Sequence, residues 1–276
     1  MSELHRESGF APINTARLYY EVAGEGPPFV MIHAGVADHR QWNNEFEYFA
    51  PHYRVLRYDL RGYGQSEPVA GEYSHLQDLT ALLDYLHLDR PIVLMGCSMG
   101  GGLALNLALT RPAQVAALIM VDAGPTGLKL DVPEPAKFQE LEAAYDAGDF
   151  DRVAELETQI WFDGAGRTPT QVNPAMRQLA YAMNRHALTL EARQLGKRLP
   201  DLPGSAAERL GELHLPMLVI VGEQDIPYMH AAAEFMLEQI PTARQVIIKD
   251  AAHLPNLDHP AEFQQIVTAF LDQKSH

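Results

Sequence analysis

The sequence predicts an α/β protein: a mostly parallel sheet flanked by helices, with one helical insertion. Three observations predict it. Short apolar runs alternate with helical patterns from residue 28 to 122. A glycine-flanked serine, Gly96-Cys97-Ser98-Met99-Gly100, stands between one such run and a long apolar helical segment. From about residue 125 to 213 no strand-like run occurs, and such runs resume at 216.

The elements follow in order. Residues 8–23 read as a hairpin, with Asn14-Thr15 at its turn and strand formers from Arg17 to Val22. Pro28-Phe29-Val30-Met31-Ile32 is continuously apolar, as expected of a strand buried on both faces. It runs into His33-Ala34-Gly35 and then a helical stretch with Trp42 and Phe46 four apart. Tyr53–Tyr58 is the next strand, followed by the turn-rich Asp59–Ser66 loop. Leu76, Leu79, Leu82, Leu83 and Leu86 form one stripe of a helix over 74–88. An apolar run that opens at Pro91 and ends at Ser98 is the next strand and Val115–Val121 another, with a helix between them that is apolar nearly all round. The insertion reads as helices at 134–146, 150–162 and 174–198. Strands at 216–221 and 245–248 complete the pattern, and Pro260 marks the first position of the terminal helix.

A chain of 276 residues buries about three quarters of its unfolded surface and needs neither metal nor disulfide to hold it. The single cysteine, Cys97, excludes an intramolecular disulfide, and strand alternation sends it to the face opposite Ser98 as a small buried packing residue. With 36 acidic against 21 basic side chains the formal net charge is −15. That charge disfavours nucleic acid and anionic membranes as partners. No apolar stretch reaches the roughly eighteen residues of a membrane span. Met1–Glu7 is polar without a signal-peptide core, so a cytoplasmic location is expected.

Ser98 carries the chemistry. A strand-to-helix turn this sharp requires glycine where the two backbones crowd, which gives Gly96 and Gly100 a steric role. The five-residue pattern arises by chance in about one chain in ten of this length, so the assignment depends on partners. A serine hydroxyl needs a neighbouring base, and histidine suits the task. Only residues just past strand carboxyl ends converge on the same sheet edge. Among twelve histidines, His253 satisfies this best. His33 also ends a strand but begins a turn, while His230 and His259 fall in or beside helices. The carboxylate that orients the base is assigned to Asp225, with Asp122 as rival; the alternative role of Asp122 is a turn residue bonding its own backbone. The oxyanion hole is expected from the backbone N–H groups of Met99, at a helix amino terminus, and Gly35.

These motifs resemble the α/β-hydrolase fold family: His33-Ala34-Gly35, Asp59–Ser66, Gly96–Gly101, Gly222-Glu223-Gln224-Asp225 and Ala252–Leu257 occur in the family's order. The resemblance implies an eight-stranded, mostly parallel sheet. It also implies a core formed by 1–124 and 214–276, with a helical cap at 125–213. His253–Pro260 is similar to enol-lactonases, and Cys97–Gly101 also resembles carbon–carbon bond hydrolases, although Leu254 stands where those commonly carry tryptophan. The resemblance implies hydrolysis of a small-molecule carboxylic ester or lactone through Ser98, without metal or organic cofactor. Carbon–carbon hydrolysis, cofactor-free perhydrolysis (haloperoxidase-like) and ligand reception use the same triad. Arg177, Arg185 and Arg193 are candidates to pair with a substrate carboxylate, and Trp161, Phe162, Tyr181 and Met183 to line the pocket or bury against the core. The insertion's acidic first half and basic second half read as complementary helices. No signature of an oligomeric state is present.

Overall fold

A computed structural model describes residues 4–88 and 90–273; of the polar amino-terminal stretch, residues 1–3 lie outside the described residues. Eight strands form one sheet: β1 (Arg6–Ile13), β2 (Ala16–Ala23), β3 (Pro28–Ile32), β4 (Arg54–Tyr58), β5 (Ile92–Cys97), β6 (Val115–Val121), β7 (Met217–Gly222) and β8 (Ala243–Ile248). Their order is β1-β2-β4-β3-β5-β6-β7-β8. The β1–β2 hairpin is antiparallel, and β2 joins β4 antiparallel. Every other pairing is parallel. Asn14 turns the hairpin at a φ of 51°.

The apolar runs are continuous because helices cover both faces. Along β5, Ile92 and Leu94 pack with one core while Val93, Met95 and Cys97 pack with the other. The first core is closed by α2 (His75–Tyr85), α3 (Met99–Thr110) and α7 (Pro227–Gln239). The second is closed by α1 (Asn43–Phe49) and α9 (Pro260–Asp272), where Trp42 and Phe263 meet with ring centroids 6.2 Å apart. Burying a side chain such as Phe263 contributes about 1.5–3 kcal/mol. Helix α3 is buried from Gly100 to Leu109, as its uninterrupted apolar sequence requires. Between α7 and α9 lies the single turn α8 (Pro255–Asp258).

Residues 125–213 add no strand to this sheet. They contain α4 (Lys137–Asp146), α5 (Phe150–Thr158) and α6 (Pro174–Glu191). Three boundaries differ from the sequence reading, the first being that the helix expected from 134 begins at Lys137. The helix expected over 150–162 ends at Thr158 and continues as a wider turn over Gln159–Asp163, closed by the Gly164 N–H donating to the Gln159 carbonyl at 3.0 Å. The helix expected to reach 198 stops at Glu191. Beyond it Gly196 takes a φ of 82°, and Lys197–Arg198 pairs in parallel with Glu72–Tyr73. The chain leaves the helical path at Gln194, held at φ 50°, and position 196 requires glycine because a Cβ there would lie 2.6 Å from the Val69 carbonyl oxygen. Among the described residues, no helix is long and apolar enough to cross a membrane.

Candidate active site

The sharp bend between β5 and α3 sets the site. Gly96 and Gly100 pack backbone to backbone: a Cβ on Gly96 would sit 2.2 Å from the Gly100 carbonyl oxygen, and one on Gly100 2.4 Å from that of Ile32. Between them Ser98 is held at φ 52°, ψ −117°, a conformation that costs a non-glycine residue about 1–3 kcal/mol. Its N–H donates to the Val121 carbonyl at 2.9 Å and its carbonyl accepts from Gly102 N–H at 3.0 Å, so both neighbouring elements hold it there.

Loops after β7 and β8 bring the other two groups to this edge. His253 Nδ1 lies 2.7 Å from Asp225 Oδ2, both residues buried. The second Asp225 oxygen accepts from the Ile226 N–H at 2.7 Å. The loops are stitched together by Glu223 N–H to the Ile248 carbonyl at 3.0 Å and Gln224 N–H to the Ala251 carbonyl at 2.8 Å. Cys97 Sγ, on the α1/α9 side, donates to the His253 carbonyl at 3.4 Å, and burial pushes its thiol well above the usual range. That makes Cys97 an inert packing residue.

Asp122, the rival carboxylate, lies at the same edge after β6 and is fully buried. Instead of bonding its own turn, its Oδ1 accepts from the Gly222 N–H at 2.9 Å. Its carboxyl sits with that of Asp225 and the His253 ring in a cluster in which one polar atom of each lies within 4.8 Å of the others.

The loop after β3 lies against the start of α3. A Cβ placed on Gly35 would be 3.8 Å from the Met99 side chain, an ordinary contact, so crowding does not demand glycine there. His33 shapes this loop. Its Nδ1 is 2.8 Å from the Ala34 carbonyl, and its Nε2 accepts from Leu60 N–H at 3.0 Å. The imidazole is therefore neutral with its proton on Nδ1, and burial lowers its affinity for a second proton. A second support escaped sequence reasoning. Gln41 accepts from the Ala34 N–H at 2.9 Å, and Asn256 Nδ2 donates to the Gln41 carbonyl at 2.7 Å and to Glu45 at 2.9 Å. This network ties the Gly35 loop to the turn after His253; Asn256, three residues past His253, was the available sign of it.

Part of residues 125–213 reaches this edge, where the Ala165 N–H donates to the Gln224 carbonyl at 3.1 Å. Trp161, on the wide turn after α5, lies against the His253 ring with centroids 4.5 Å apart. Phe162 and Met183 bury in the α1/α9 core and Tyr181 packs against the α4–α5 cluster. The three candidate arginines are engaged elsewhere. Arg177 binds Glu155 at 2.7 Å and Asp163 at 2.9 Å, Arg185 binds Asp151, and Arg193 binds Glu67. Arg177 and Arg185 thus pair with the insertion's acidic first half, whereas Arg167 pairs with Asp258, Arg193 with Glu67 and Lys197 with Glu72, all outside it. Arg198, not singled out beforehand, donates to the Met99 sulfur at 3.2 Å while paired with Asp201 at 3.0 Å.

A cavity of about 370 Å³ opens from Gly35 and Val36 between the 61–73 loop and α6. Ser98 and His253 do not line it, whereas Gly35 does. Tyr63 borders it, its hydroxyl pushed up to about 12 by burial. Arg61 borders it too, but its guanidinium is held by Asp78 in two 2.8 Å bonds. The cavity also meets Glu157 and Glu191. Glu157 accepts from Asn184 at 2.8 Å, and burial, with Glu191 adding, raises its carboxyl above the usual range.

A parallel sheet with this strand order, carrying a strained serine, a histidine and carboxylates at its carboxyl edge, defines an α/β protein built for chemistry at the strand ends. The chain belongs to the α/β hydrolase fold family, whose sequence model matches residues 27–260. A pimeloyl-[acyl-carrier protein] methyl ester esterase of Aeromonas hydrophila is 30% identical over 254 residues, covering 90% of this chain and 96% of its own. A 2-hydroxy-6-oxononadienedioate/2-hydroxy-6-oxononatrienedioate hydrolase of Klebsiella pneumoniae is 27% identical over 93% of this chain and 91% of its own. Among solved structures, the enol-lactonase from Burkholderia xenovorans LB400 superposes with a TM-score of 0.77 at 23% identity, covering 96% of this chain and all of that one, a likeness of fold.

Proposed function

We propose that the protein hydrolyses small carboxylic esters or lactones through an acyl-enzyme on Ser98. The observation that carries the reading is the buried 2.7 Å bond between His253 and Asp225 at the edge where Ser98 is held in a strained turn. With Nδ1 engaged by Asp225, His253 Nε2 takes the Ser98 proton and returns it to the leaving alcohol or ring oxygen. Asp225 holds the tautomer and stabilises the imidazolium. The Met99 and Gly35 N–H groups hold the oxyanion, Met99 with the favourable field of the α3 amino terminus. Water then deacylates the serine by the same base. No step requires a metal or organic cofactor.

In this reading 1–124 and 214–276 form the catalytic core and 125–213 the cap that carries the specificity-determining walls. The cavity from Gly35 receives the longer arm of the substrate. The esterase relative supports ester cleavage. Carbon–carbon cleavage, supported by the Klebsiella relative, is the second reading; a dioate arm in this cavity would face Glu157 and Glu191 with the candidate arginines already paired.

A fluorophosphonate probe tests the nucleophile: labelling is expected in the wild type and lost in Ser98→Ala, and labelling that survives Ser98→Ala refutes the assignment. Turnover on a panel of short esters, lactones and dienoates separates the two readings. Ligand-induced stabilisation with negligible turnover on all of them would favour a receptor.

A further inference from the structure

We propose that Asp122 is the proton-bearing partner of Asp225: a neutral carboxyl whose O–H donates to the Asp225 carboxylate and so positions the Asp225–His253 pair. The inference begins from an orphaned atom. Asp122 is fully buried, and its Oδ1 is satisfied by the Gly222 N–H, yet Oδ2 has no donor among the described residues. A buried carboxylate oxygen with no donor is costly, whereas a buried carboxyl O–H beside an acceptor is satisfied.

The acceptor is at hand. One carboxylate oxygen each of Asp122 and Asp225 and one ring nitrogen of His253 lie within 4.8 Å of one another. Two buried carboxyls that close do not both ionise. The charge belongs on Asp225, which receives two N–H donors, from His253 and Ile226, against one for Asp122. Burial first, then the Asp225 charge, push the Asp122 carboxyl well above the usual carboxylate range. The third titratable group facing Asp122 is the Cys97 thiol, which stays neutral. The backbone is committed to this placement: Asp122 is held at φ 44°, its N–H donating to the Ile220 carbonyl at 2.8 Å. A non-glycine residue kept in the left-handed region beside a reactive pair is strain stored for a purpose.

The consequence is a single negative charge held by two carboxyls. The Asp122 O–H withdraws charge from Asp225, which lowers its basicity and keeps the shared proton on His253 Nδ1 when the imidazolium forms. No bond to substrate is involved; Asp122 acts through Asp225.

The kinetic part rests on the catalytic reading of His253 and Asp225, and the spectroscopic part does not. Infrared difference spectra are taken between wild type and Asp122→Asn at a pH well above the value of about 7 to which burial raises Glu45. The carbonyl stretch of a protonated carboxylic acid is expected in the wild type and absent from the variant. In kinetics, Asp122→Ala should lower kcat by about tenfold with KM little changed, the size of a lost hydrogen bond to a charged group. The acidic limb of its pH–rate profile should move upward as Asp225 becomes more basic. Asp122→Asn, whose amide N–H replaces the O–H, should rescue most of that loss and leave the limb in place. Absence of an Asp122-dependent carboxylic-acid band overturns the proposal. So does a fall of one unit or more in the acidic limb of Asp122→Asn, which would mean that a negative charge had been removed. If the fluorophosphonate test fails while the band is present, the proton assignment stands and the hydrolase reading falls.

Discussion

Trp161 lies against the imidazole of His253, ring centroids 4.5 Å apart and planes tilted by 43°. The contact depends on the wide turn over Gln159–Asp163 that replaces the end of α5, and such turns recur at functional sites. Under the proposed mechanism the indole would present a π face to the imidazolium that His253 forms in each half-reaction. A cation–π contact of about 1–2 kcal/mol corresponds to roughly a tenfold effect on rate. Trp161→Ala should therefore lower kcat by about that factor, and Trp161→Phe should retain most of it. Equal losses in both variants would show that cap placement alone, rather than the aromatic face, is what matters.

The elbow glycines give a sharper expectation. A methyl on Gly96 meets the Gly100 carbonyl at 2.2 Å, and one on Gly100 meets two backbone oxygens at 2.4 and 2.5 Å. Backbone cannot yield as a flexible side chain does, so Gly96→Ala and Gly100→Ala should each cost several kcal/mol. Gly35→Ala faces only ordinary contacts with Met99 and should fold with near-native stability. Urea unfolding midpoints of the three variants check this; a stable Gly96→Ala would show that strand and helix separate more easily than the packing implies.

The contrast among these glycines shows what was legible in the sequence. Strands were readable because burial on both faces makes runs such as Phe29–Ile32 continuously apolar. The positions of Ser98, Asp225 and His253 were readable because strand ends in a parallel sheet converge on one edge. Helix ends in 125–213 were not, since after Glu191 the chain turns left-handed at Gln194 and pairs Lys197–Arg198 with Glu72–Tyr73, a distant segment. Arginine pairing was hidden for the same reason: whether Arg193 meets substrate or Glu67 is decided by how α6 crosses the 59–67 loop. That Asp122 reaches the same edge was readable from its strand end; that its carboxyl accepts from the Gly222 N–H rather than from its own turn was not.

The cavity walls predict a charge preference. Glu157 and Glu191 border the cavity, neither with a cationic partner among the described residues, while Arg61 is neutralised by Asp78. A substrate whose longer arm ends in a carboxylate should therefore have a higher KM than its neutral methyl-ester or amide counterpart, by about tenfold for one unfavourable charge contact at a half-buried site. Glu157→Gln should narrow that gap through KM with little change in kcat. A carboxylate-ended ester that outperforms its neutral analogue would place the substrate arm outside this cavity.

Glu45 supplies a pH dependence of stability. It is fully buried between Asn256 and Gln264 at the start of α1, and burial raises its carboxyl from 4.5 to about 7. Between those two values the folded protein holds a proton that the unfolded chain has released, so this group's contribution is complete below the lower value and declines as pH rises through the upper one. The decline is on the order of 3 kcal/mol. Buried His75, lowered to about 3, and buried His33 act in the opposite direction, stabilising the fold as pH rises toward 6.5. The wild-type curve alone therefore mixes the two slopes, and the difference from Glu45→Gln isolates one. Glu45→Gln should be slightly less stable than wild type at mildly acidic pH, because one of its two donors now faces an amide, and more stable above neutrality. Urea titrations of both proteins across this range check it, and parallel curves with no crossing would show that Glu45 stays ionised in the folded protein.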